Sequence, residues 1–214
     1  MTKKRKKHFL ITAGGTREYI DPVRFISNAS SGRTGYAIAA AAIKAGHKVT
    51  LITTPIALKS PADAKTVTVE SGREMFAAVK KYFAGCDCLI MAAAVSDYAP
   101  ARPAKTKIKK SSKDLTVVLK PTQDILKWAA AKSERKQVVV GFALEDRDIR
   151  VNAERKLIEK KLDMVIANTP ATIGNRYCAL QIKTISGKWV VLPRMTKEKA
   201  AARIIRMAEG LQKR

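Results

Sequence analysis

The chain has 214 residues, 46% of them hydrophobic, which is enough for one α/β domain with a sizeable core. Its 42 lysines and arginines outnumber its 18 aspartates and glutamates, and the net charge of +24 predicts anionic partners such as nucleotides, phosphorylated metabolites or nucleic acid. The 3 cysteines and 2 histidines show no metal-binding spacing, which argues against zinc sites and histidine-dependent triads.

The chain begins with a basic segment. Residues 3–7 are all lysine or arginine, and no apolar run long enough for a signal peptide follows them. No other stretch approaches the roughly 20 apolar residues of a membrane span. We therefore predict a disordered tail over residues 1–8, one domain over residues 9–214, and a cytoplasmic protein that does not bind membranes.

A strand, a glycine turn and a helix are predicted next. Residues 9–11 are apolar and predict a buried strand, and the alanine-rich residues 37–45 predict a helix. Glycines and serines between them permit a sharp turn before the helix N-terminus, where free N–H groups and the helix dipole bind anions. The residues of this candidate phosphate site are Gly14, Gly15, Ser30, Ser31 and Gly32.

The loop within this site is long for a connection between a strand and its helix, so we interpret it as functional. The alternative is a glycine-tolerant turn with solvated polar residues, and neither a dinucleotide fingerprint nor a Walker loop is present. The polar residues of the loop include Arg17, Asp21, Arg24 and Asn28.

Strands and helices alternate along the rest of the chain. This alternation predicts an α/β fold with a doubly wound, mostly parallel Rossmann-like sheet, whose ligands bind beyond the carboxyl ends of the strands. Ser71 and Thr122 are predicted helix caps, Gly46 a helix stop, and residues 179–192 a terminal β-hairpin. Predicted strands cover residues 48–53, 66–69, 88–92, 137–143 and 163–167, and predicted helices cover residues 73–83, 122–131, 152–161 and 197–211.

Small side chains and an aspartate follow the predicted strand at residues 88–92. Ala92 and Ala93 would let a flat ligand lie against the backbone. Asp97 is interpreted either as a ligand of a nucleotide or its metal, or as a residue that caps a turn. The residues themselves leave both alternatives open.

Residues 104–120 interrupt the alternation and predict a protruding β-hairpin arm. Lys107 and Lys109 would share one face of a strand and could close over a phosphate chain, although lysines also commonly protect a solvated edge. The apolar residues of the arm would need cover, which predicts a homodimer in which the arm reaches another subunit.

Two lysines lie four residues apart on the helix predicted at residues 152–161. Lys156 and Lys160 therefore share one helix face, where like charges repel. An anion held between them would relieve this repulsion.

Six motifs follow one another along the chain, namely ITAGGTREYIDPVRFISNASSG, AAAVSDY, KIKK, TQDIL, VGFALE and KLIEKKLDMVIAN. Together they make the chain similar to the phosphopantothenate:cysteine ligase family of coenzyme A biosynthesis. This resemblance implies that 4′-phosphopantothenate is activated as an acyl-nucleotide with loss of pyrophosphate, and that the cysteine amine then displaces the nucleotide. Bacterial members use CTP and eukaryotic members use ATP. Because AAAVSDY and KIKK resemble the bacterial members, CTP is the expected co-substrate, with Mg²⁺ as cofactor.

The resemblance also assigns roles to residues. Lys107 is expected to contact the nucleotide phosphate, and Asn28 with Arg24 to serve the attack on the acyl carbonyl. Asp97 is the expected Mg²⁺ ligand, and a separate flavin-dependent decarboxylase is the expected partner, because the sequence begins at the ligase. The residues expected to hold the nucleotide are Gly14, Gly15, Ala92, Ala93, Asp97, Lys107, Gln123, Asp124, Ile125, Leu126, Phe142, Lys156 and Lys160, and those expected to hold the acid substrate are Ser30, Ser31 and Gly32.

The chain departs from the family pattern at three places. Ser96 stands where alanine is most common, Gln123 stands where proline is common, and residues 169–177 match their counterpart poorly. These departures affect the expected nucleotide preference more than the expected reaction.

Two other classes share single features with the chain. A short-chain dehydrogenase also opens with a strand, glycines and a helix, but this chain has no G-x-G-x-x-G and no tyrosine followed four residues later by lysine. A basic nucleic-acid-binding protein would share the positive charge, but no recognition motif is present.

Overall fold

The computed structural model describes residues 5–133 and 137–211, so residues 1–4 of the predicted tail lie outside the described residues. The rest of that tail contacts the domain, and its prediction as disordered is wrong. Arg5 Nη2 donates to Asp87 Oδ1 at 3.0 Å, and Lys7 Nζ donates to the main-chain oxygen of Glu209 at 2.7 Å. His8 already belongs to the first strand. The acceptors that hold this segment come from remote parts of the chain, which local sequence cannot show.

Twelve strands and five α-helices occur in the described residues. The strands are β1 (His8–Ala13), β2 (Arg17–Tyr19), β3 (Phe25–Ser27), β4 (Lys48–Thr53), β5 (Ala64–Thr68), β6 (Cys88–Met91), β7 (Tyr98–Pro100), β8 (Leu119–Pro121), β9 (Val138–Leu144), β10 (Met164–Asn168), β11 (Tyr177–Thr184) and β12 (Val190–Thr196). The helices are α1 (Arg33–Lys44), α2 (Gly72–Phe83), α3 (Ile125–Lys132), α4 (Ile149–Glu159) and α5 (Lys197–Gly210), with a 3-10 turn at Pro170–Thr172.

Eight strands form one mixed sheet in the order β12-β11-β10-β9-β6-β1-β4-β5. The strands from β10 to β5 are parallel, and β11 and β12 add an antiparallel pair at the edge beside β10. Numbered among themselves along the chain, the parallel strands follow the order of a doubly wound nucleotide-binding fold. The predicted Rossmann-like class and terminal β-hairpin are confirmed.

The parallel strands are apolar on both faces because helices cover both faces of the sheet. Helices α1 and α5 pack on one face, where Ile38 and Ile204 are fully or almost fully buried. Helices α2, α3 and α4 pack on the other face, with Met75, Leu126 and Leu157 in the core. The core therefore consists of two layers, one on each face of the sheet.

The helix caps confirm one prediction and correct another. The Ser71 hydroxyl accepts from Glu74 N–H at 3.2 Å, as expected for the cap of α2. Thr122 does not cap α3, because Asp124 Oδ1 accepts from Lys127 N–H at 2.9 Å and takes that role. The Thr122 hydroxyl instead donates to the main-chain oxygen of Ser96 at 2.6 Å. Gly46 follows α1 with a φ of 87°, which confirms the predicted helix stop.

The predicted arm is a long loop rather than a hairpin of two strands. Only β7 and β8 pair, at its base, while residues 101–118 form no regular strand. Prolines at 100 and 103 have no N–H to donate to a neighbouring strand. Most side chains of residues 104–120 are exposed, so strand pairing there would bury little apolar surface and gain little stability. The small hairpin of β2 and β3, inside the long glycine loop, was not predicted.

The three cysteines are buried thiols, as expected for small apolar side chains. Burial raises the pKa of Cys86 to about 12. Among the described residues, no helix has the length and apolar character needed to cross a membrane.

Candidate active site

A cavity of about 680 Å³ lies beyond the carboxyl ends of β6, β9 and β10, next to the start of α1. This is the point where the strand order reverses between β1 and β6, and doubly wound folds bind ligands at such a crevice. The predicted site residues that line it are Asn28, Ser30, Ser31, Gly32, Ala92, Ala93, Asp97, Gln123, Asp124, Ile125, Leu126, Phe142, Lys156 and Lys160. The predicted site residues that do not line it are Gly14, Gly15, Arg24 and Lys107.

Gly14 and Gly15 lie behind the cavity rather than in its wall. Ala94 N–H donates to Gly14 O at 2.8 Å, and Thr16 N–H donates to Ala94 O at 3.2 Å. A Cβ on Gly15 would lie 2.6 Å from the main-chain oxygen of Asn28. The glycines therefore allow two loops of the site to approach each other, and neither glycine lines the cavity.

The N-terminus of α1 opens onto the cavity without a side-chain cap. Gly32 is the N-cap residue with a φ of 72°, and the first turn contains no acidic side chain. Gly32, Arg33 and Thr34 all line the cavity. The free N–H groups of this turn thus face the space where an anionic group can be held.

Asn28 is held at the cavity by the loop that follows β6. Its Nδ2 donates to Ala94 O at 3.2 Å and to Val95 O at 3.3 Å. Both amide hydrogens are thereby directed at main-chain oxygens. A contact from Nδ2 to a substrate oxygen requires one of these hydrogen bonds to be exchanged.

Arg24 is paired with Asp21 instead of facing the cavity. Arg24 Nε donates to Asp21 Oδ2 at 3.0 Å, and its Nη2 donates to the main-chain oxygen of Ile108 at 2.9 Å. The hydrogen bond from the Arg24 guanidinium holds the pKa of the buried Asp21 carboxyl well below its usual range. Arg24 therefore organises the loop and the arm, and it does not line the cavity.

Lys107 is exposed and lies outside the cavity wall. Its neighbour Ile108 is fixed at the main chain by Asp21 and Arg24. The main chain next to Lys107 is therefore tied to the glycine-rich loop, while the Lys107 side chain stays exposed.

A cationic wall is formed by α4 and the end of β9. Lys156 Nζ donates to the main-chain oxygen of Phe142 at 2.6 Å, and burial together with the charge of Lys160 lowers the pKa of Lys156. Lys160 Nζ lies 2.9 Å from Asp124 Oδ2. Although burial acts to raise it, the pKa of Asp124 is lowered by hydrogen bonds from Lys127 N–H and Lys160. Asp124 thus supplies part of the negative charge that the lysine pair requires.

A second polar wall, formed by residues between β10 and α5, was missed by the sequence analysis. Lys197 Nζ donates to the main-chain oxygen of Thr172 at 3.0 Å, and Asn168 Nδ2 donates to Thr172 Oγ1 at 2.7 Å. Asn168 Oδ1 is buried and has no hydrogen-bond partner among the described residues. Lys197 has the pattern of an ordinary surface-helix lysine, so nothing in the sequence marks it. Residues 169–177, which match the family pattern poorly, form part of this wall.

Asp97 is the candidate metal ligand in the cavity. No group of three or more histidine, cysteine, aspartate or glutamate side chains within residues 5–133 and 137–211 could hold a metal ion. Mg²⁺ commonly keeps several waters and binds through one or two carboxylates plus substrate phosphates. The residues present therefore fit Mg²⁺ only when a nucleotide supplies further oxygen ligands.

Two curated bacterial proteins are similar to this chain in sequence. The bifunctional coenzyme A biosynthesis protein CoaBC of Vibrio vulnificus is 43% identical over 173 residues, which cover 80% of this chain and 43% of that protein. CoaBC of Bacillus subtilis is 40% identical over 212 residues, which cover 97% of this chain and 52% of that protein. The chain thus spans about half the length of these curated relatives.

Two solved structures are similar to this chain in fold, and one family model matches almost its full length. The crystal structure of the C-terminal domain of a CoaBC protein has a TM-score of 0.82 and 37% identity, covering 95% of this chain and 94% of that domain. A Cab2 mutant in complex with phosphopantothenate-cysteine, with a TM-score of 0.79 and 18% identity over 96% of this chain and 87% of that one, shares the fold. The family model described as "DNA/pantothenate metabolism flavoprotein C-terminal domain" matches residues 4–211. The chain belongs to this family.

Proposed function

We propose that this chain ligates 4′-phosphopantothenate to cysteine in coenzyme A biosynthesis, through an acyl-cytidylate intermediate. The observation that carries the proposal is a cavity at the switch point with positive charge on two opposite walls and a free helix N-terminus between them. The CoaBC relatives of Vibrio vulnificus and Bacillus subtilis, which are 43% and 40% identical to this chain, are named for coenzyme A biosynthesis, which supports the pathway.

The proposed reaction has two steps. The substrate carboxylate attacks the α-phosphorus of CTP, the bond from that phosphorus to the bridging oxygen breaks, and pyrophosphate leaves. The cysteine amine then attacks the acyl carbon, the acyl carbon–oxygen bond breaks, CMP leaves, and the amine proton passes to solvent. Both nucleophiles belong to the substrates, so the protein supplies alignment and charge neutralisation.

The nucleotide is assigned to the wall formed by α3, α4 and the ends of β6 and β9. Lys156 and Lys160 supply positive charge for phosphate oxygens, and Phe142 with the small residues after β6 supplies an apolar surface for the base. The main chain of residues 123–126 would read the base edge and favour CTP. Mg²⁺ would neutralise phosphate charge when bound, with Asp97 as its protein ligand.

The acid substrate is assigned to the side of the cavity at the start of α1. Its carboxylate must meet the α-phosphate near Asn28, which lies between the two walls. Lys107 would approach the triphosphate when the arm closes, as charge develops on the phosphorus. Asn28 would donate to the acyl oxygen during amine attack, after exchanging the longer of its hydrogen bonds to main-chain oxygens.

The proposed assembly is a homodimer in which the arm contacts another subunit. Leu115 and Val118 of the arm are 55% and 71% exposed, which supports a missing contact. The ligase product would pass to a flavin-dependent decarboxylase, which is the proposed functional partner.

The test is a coupled assay of pyrophosphate release. The chain is incubated with phosphopantothenate, Mg²⁺ and CTP, ATP, GTP or UTP separately, with and without cysteine. CTP should give the highest specificity constant, and cysteine should convert the acyl-nucleotide into phosphopantothenoylcysteine. A higher specificity constant with ATP would overturn the CTP assignment alone, whereas no pyrophosphate release with any nucleotide would overturn the ligase proposal.

A further inference from the structure

Lys197 is a buried cation that lacks a carboxylate partner in the part of the chain that the structure describes. It is 5% exposed, and its Nζ donates to the main-chain oxygen of Thr172. Of the other lysines that line the cavity, Lys160 lies 2.9 Å from Asp124 Oδ2, whereas Lys156, like Lys197, donates to a main-chain oxygen. A buried charge is costly unless an opposite charge or several hydrogen bonds compensate it. The position of Lys197 therefore indicates an anionic ligand.

A second cation lies on the same side of the cavity. Arg33, in the first turn of α1, lines the cavity together with Lys197. Burial and, to a smaller extent, the charge of Arg33 lower the pKa of Lys197. The free N–H groups of α1 open onto the same space. Two cations and a helix N-terminus thus line the same side of one cavity.

The two cationic walls lie on opposite faces of the sheet. Lys156 and Lys160 belong to α4, which packs on the face with α2 and α3, whereas Arg33 and Lys197 belong to α1 and α5 on the other face. One cavity connects both walls. It can therefore hold two anionic groups at its two ends, with reacting atoms between them.

We propose that Lys197 and Arg33 bind the phosphomonoester of the acid substrate and thereby select the phosphorylated acid over free pantothenate. This inference rests on the proposed function and deepens it. The acid carries its carboxylate at one end and its phosphate at the other, so a carboxylate that meets the nucleotide leaves the phosphate at the opposite wall. A phosphate dianion matches two cations, and the turn through Thr172 fixes Lys197 in place.

The test combines binding and kinetics on the full chain. Phosphopantothenate and pantothenate are titrated separately into wild type, Lys197→Gln, Arg33→Gln and the control Lys199→Gln by calorimetry, and KM is measured for acid, CTP and cysteine. Lys199 lies on the same turn of α5 but is exposed and outside this cavity. Arg33 is also exposed, so Arg33→Gln keeps the test valid if replacement of buried Lys197 prevents folding.

Loss of one charge-assisted hydrogen bond should weaken phosphopantothenate binding and raise its KM about 10- to 100-fold in the Lys197 and Arg33 variants. KM for CTP and cysteine should be unchanged, and the preference for the phosphorylated acid should fall. A change confined to CTP or cysteine would overturn the inference, as would unchanged phosphopantothenate binding. If wild type releases no pyrophosphate, the proposed function fails, while calorimetry still decides whether these residues recognise the phosphate.

Discussion

The carboxylate of Asp21 accepts a hydrogen bond from the main-chain N–H of Ile108 at 3.1 Å, although 87 positions separate the two residues in sequence. Arg24 completes this contact by donating to Ile108 O at 2.9 Å. The glycine-rich loop and the arm are therefore joined at one point. A residue on either segment is positioned by this contact, including Lys107 beside Ile108.

The contact gives a prediction for acid stability. The pKa of Asp21 is lower in the folded chain than in the unfolded chain, so ionised Asp21 stabilises the fold fully above about pH 4, and this contribution is lost as pH falls below that value. Asp21→Asn should therefore lower the free energy of unfolding near pH 7 and reduce its loss on acidification. Urea unfolding at several pH values measures this, with exposed Asp63→Asn as the control. The prediction is contradicted if the free energy of unfolding falls by the same amount on acidification in wild type and in Asp21→Asn.

A second prediction separates the two half-reactions. Lys107→Ala should lower formation of the acyl-nucleotide by about 10²- to 10³-fold, because it removes positive charge from the phosphoryl transition state. Asn28→Asp should still form the acyl-nucleotide but fail to transfer it to cysteine. Quenched reactions analysed by chromatography should show the adduct accumulating only in the Asn28 variant. The division of roles is wrong if both variants stop at the same step.

A third prediction concerns the nucleotide wall. Lys156→Gln should raise KM for CTP about tenfold or more and leave KM for phosphopantothenate unchanged, because a charge-assisted contact to a phosphate is lost. Steady-state kinetics with each substrate varied in turn measures this. Lys132→Gln is the matched control, since Lys132 is exposed at the far end of α3. If KM for CTP and KM for phosphopantothenate rise equally, Lys156 does not act specifically on the nucleotide.

A fourth prediction compares two glycines with similar backbone conformation. Gly32 and Gly46 have φ values of 72° and 87°, so alanine at either position should cost about 1–2 kcal/mol of stability. Only Gly32→Ala should also lower activity, because Gly32 lines the cavity at the start of α1 and Gly46 does not; the Cβ at Gly32 would meet Ile56 Cδ1 at 2.2 Å, the end of a side chain that can shift. Gly46 has no heavy atom within 4 Å of that position. Thermal melts and kinetics of both variants test the difference, and equal loss of activity would contradict it.

A fifth prediction concerns assembly. Val118 is 71% exposed on the arm, and Val118→Asp should convert a homodimer into a monomer by placing a charge in the proposed contact. Light scattering should report about half the mass of the wild-type particle. Val151→Asp is the control, because Val151 is 66% exposed on α4, away from the arm. A wild-type chain that is fully active as a monomer would end this proposal.

Local sequence determined the fold class of this protein. Apolar runs such as residues 48–53 and helix signals such as Ser71 and Gly46 depend on neighbours within a few positions, so they can be recognised without a structure. The motifs also contain most of the cavity-lining residues, since three of them lie at or directly after the carboxyl ends of β6, β9 and β10. The carboxyl ends of parallel strands lie at the same edge of a sheet, so residues that follow different strands in the sequence lie close together in the structure.

Only the tertiary structure decided which charges are paired and which remain available for a ligand. Asp124 neutralises Lys160, and Asp21 engages Arg24, whereas Lys197 is buried at the cavity without a carboxylate partner among the described residues. Residues 101–118 also form no strand, because their mostly exposed side chains bury too little apolar surface to stabilise strand pairing. Pairing and burial depend on contacts between residues far apart in the chain, and local sequence patterns carry no direct signal for such contacts.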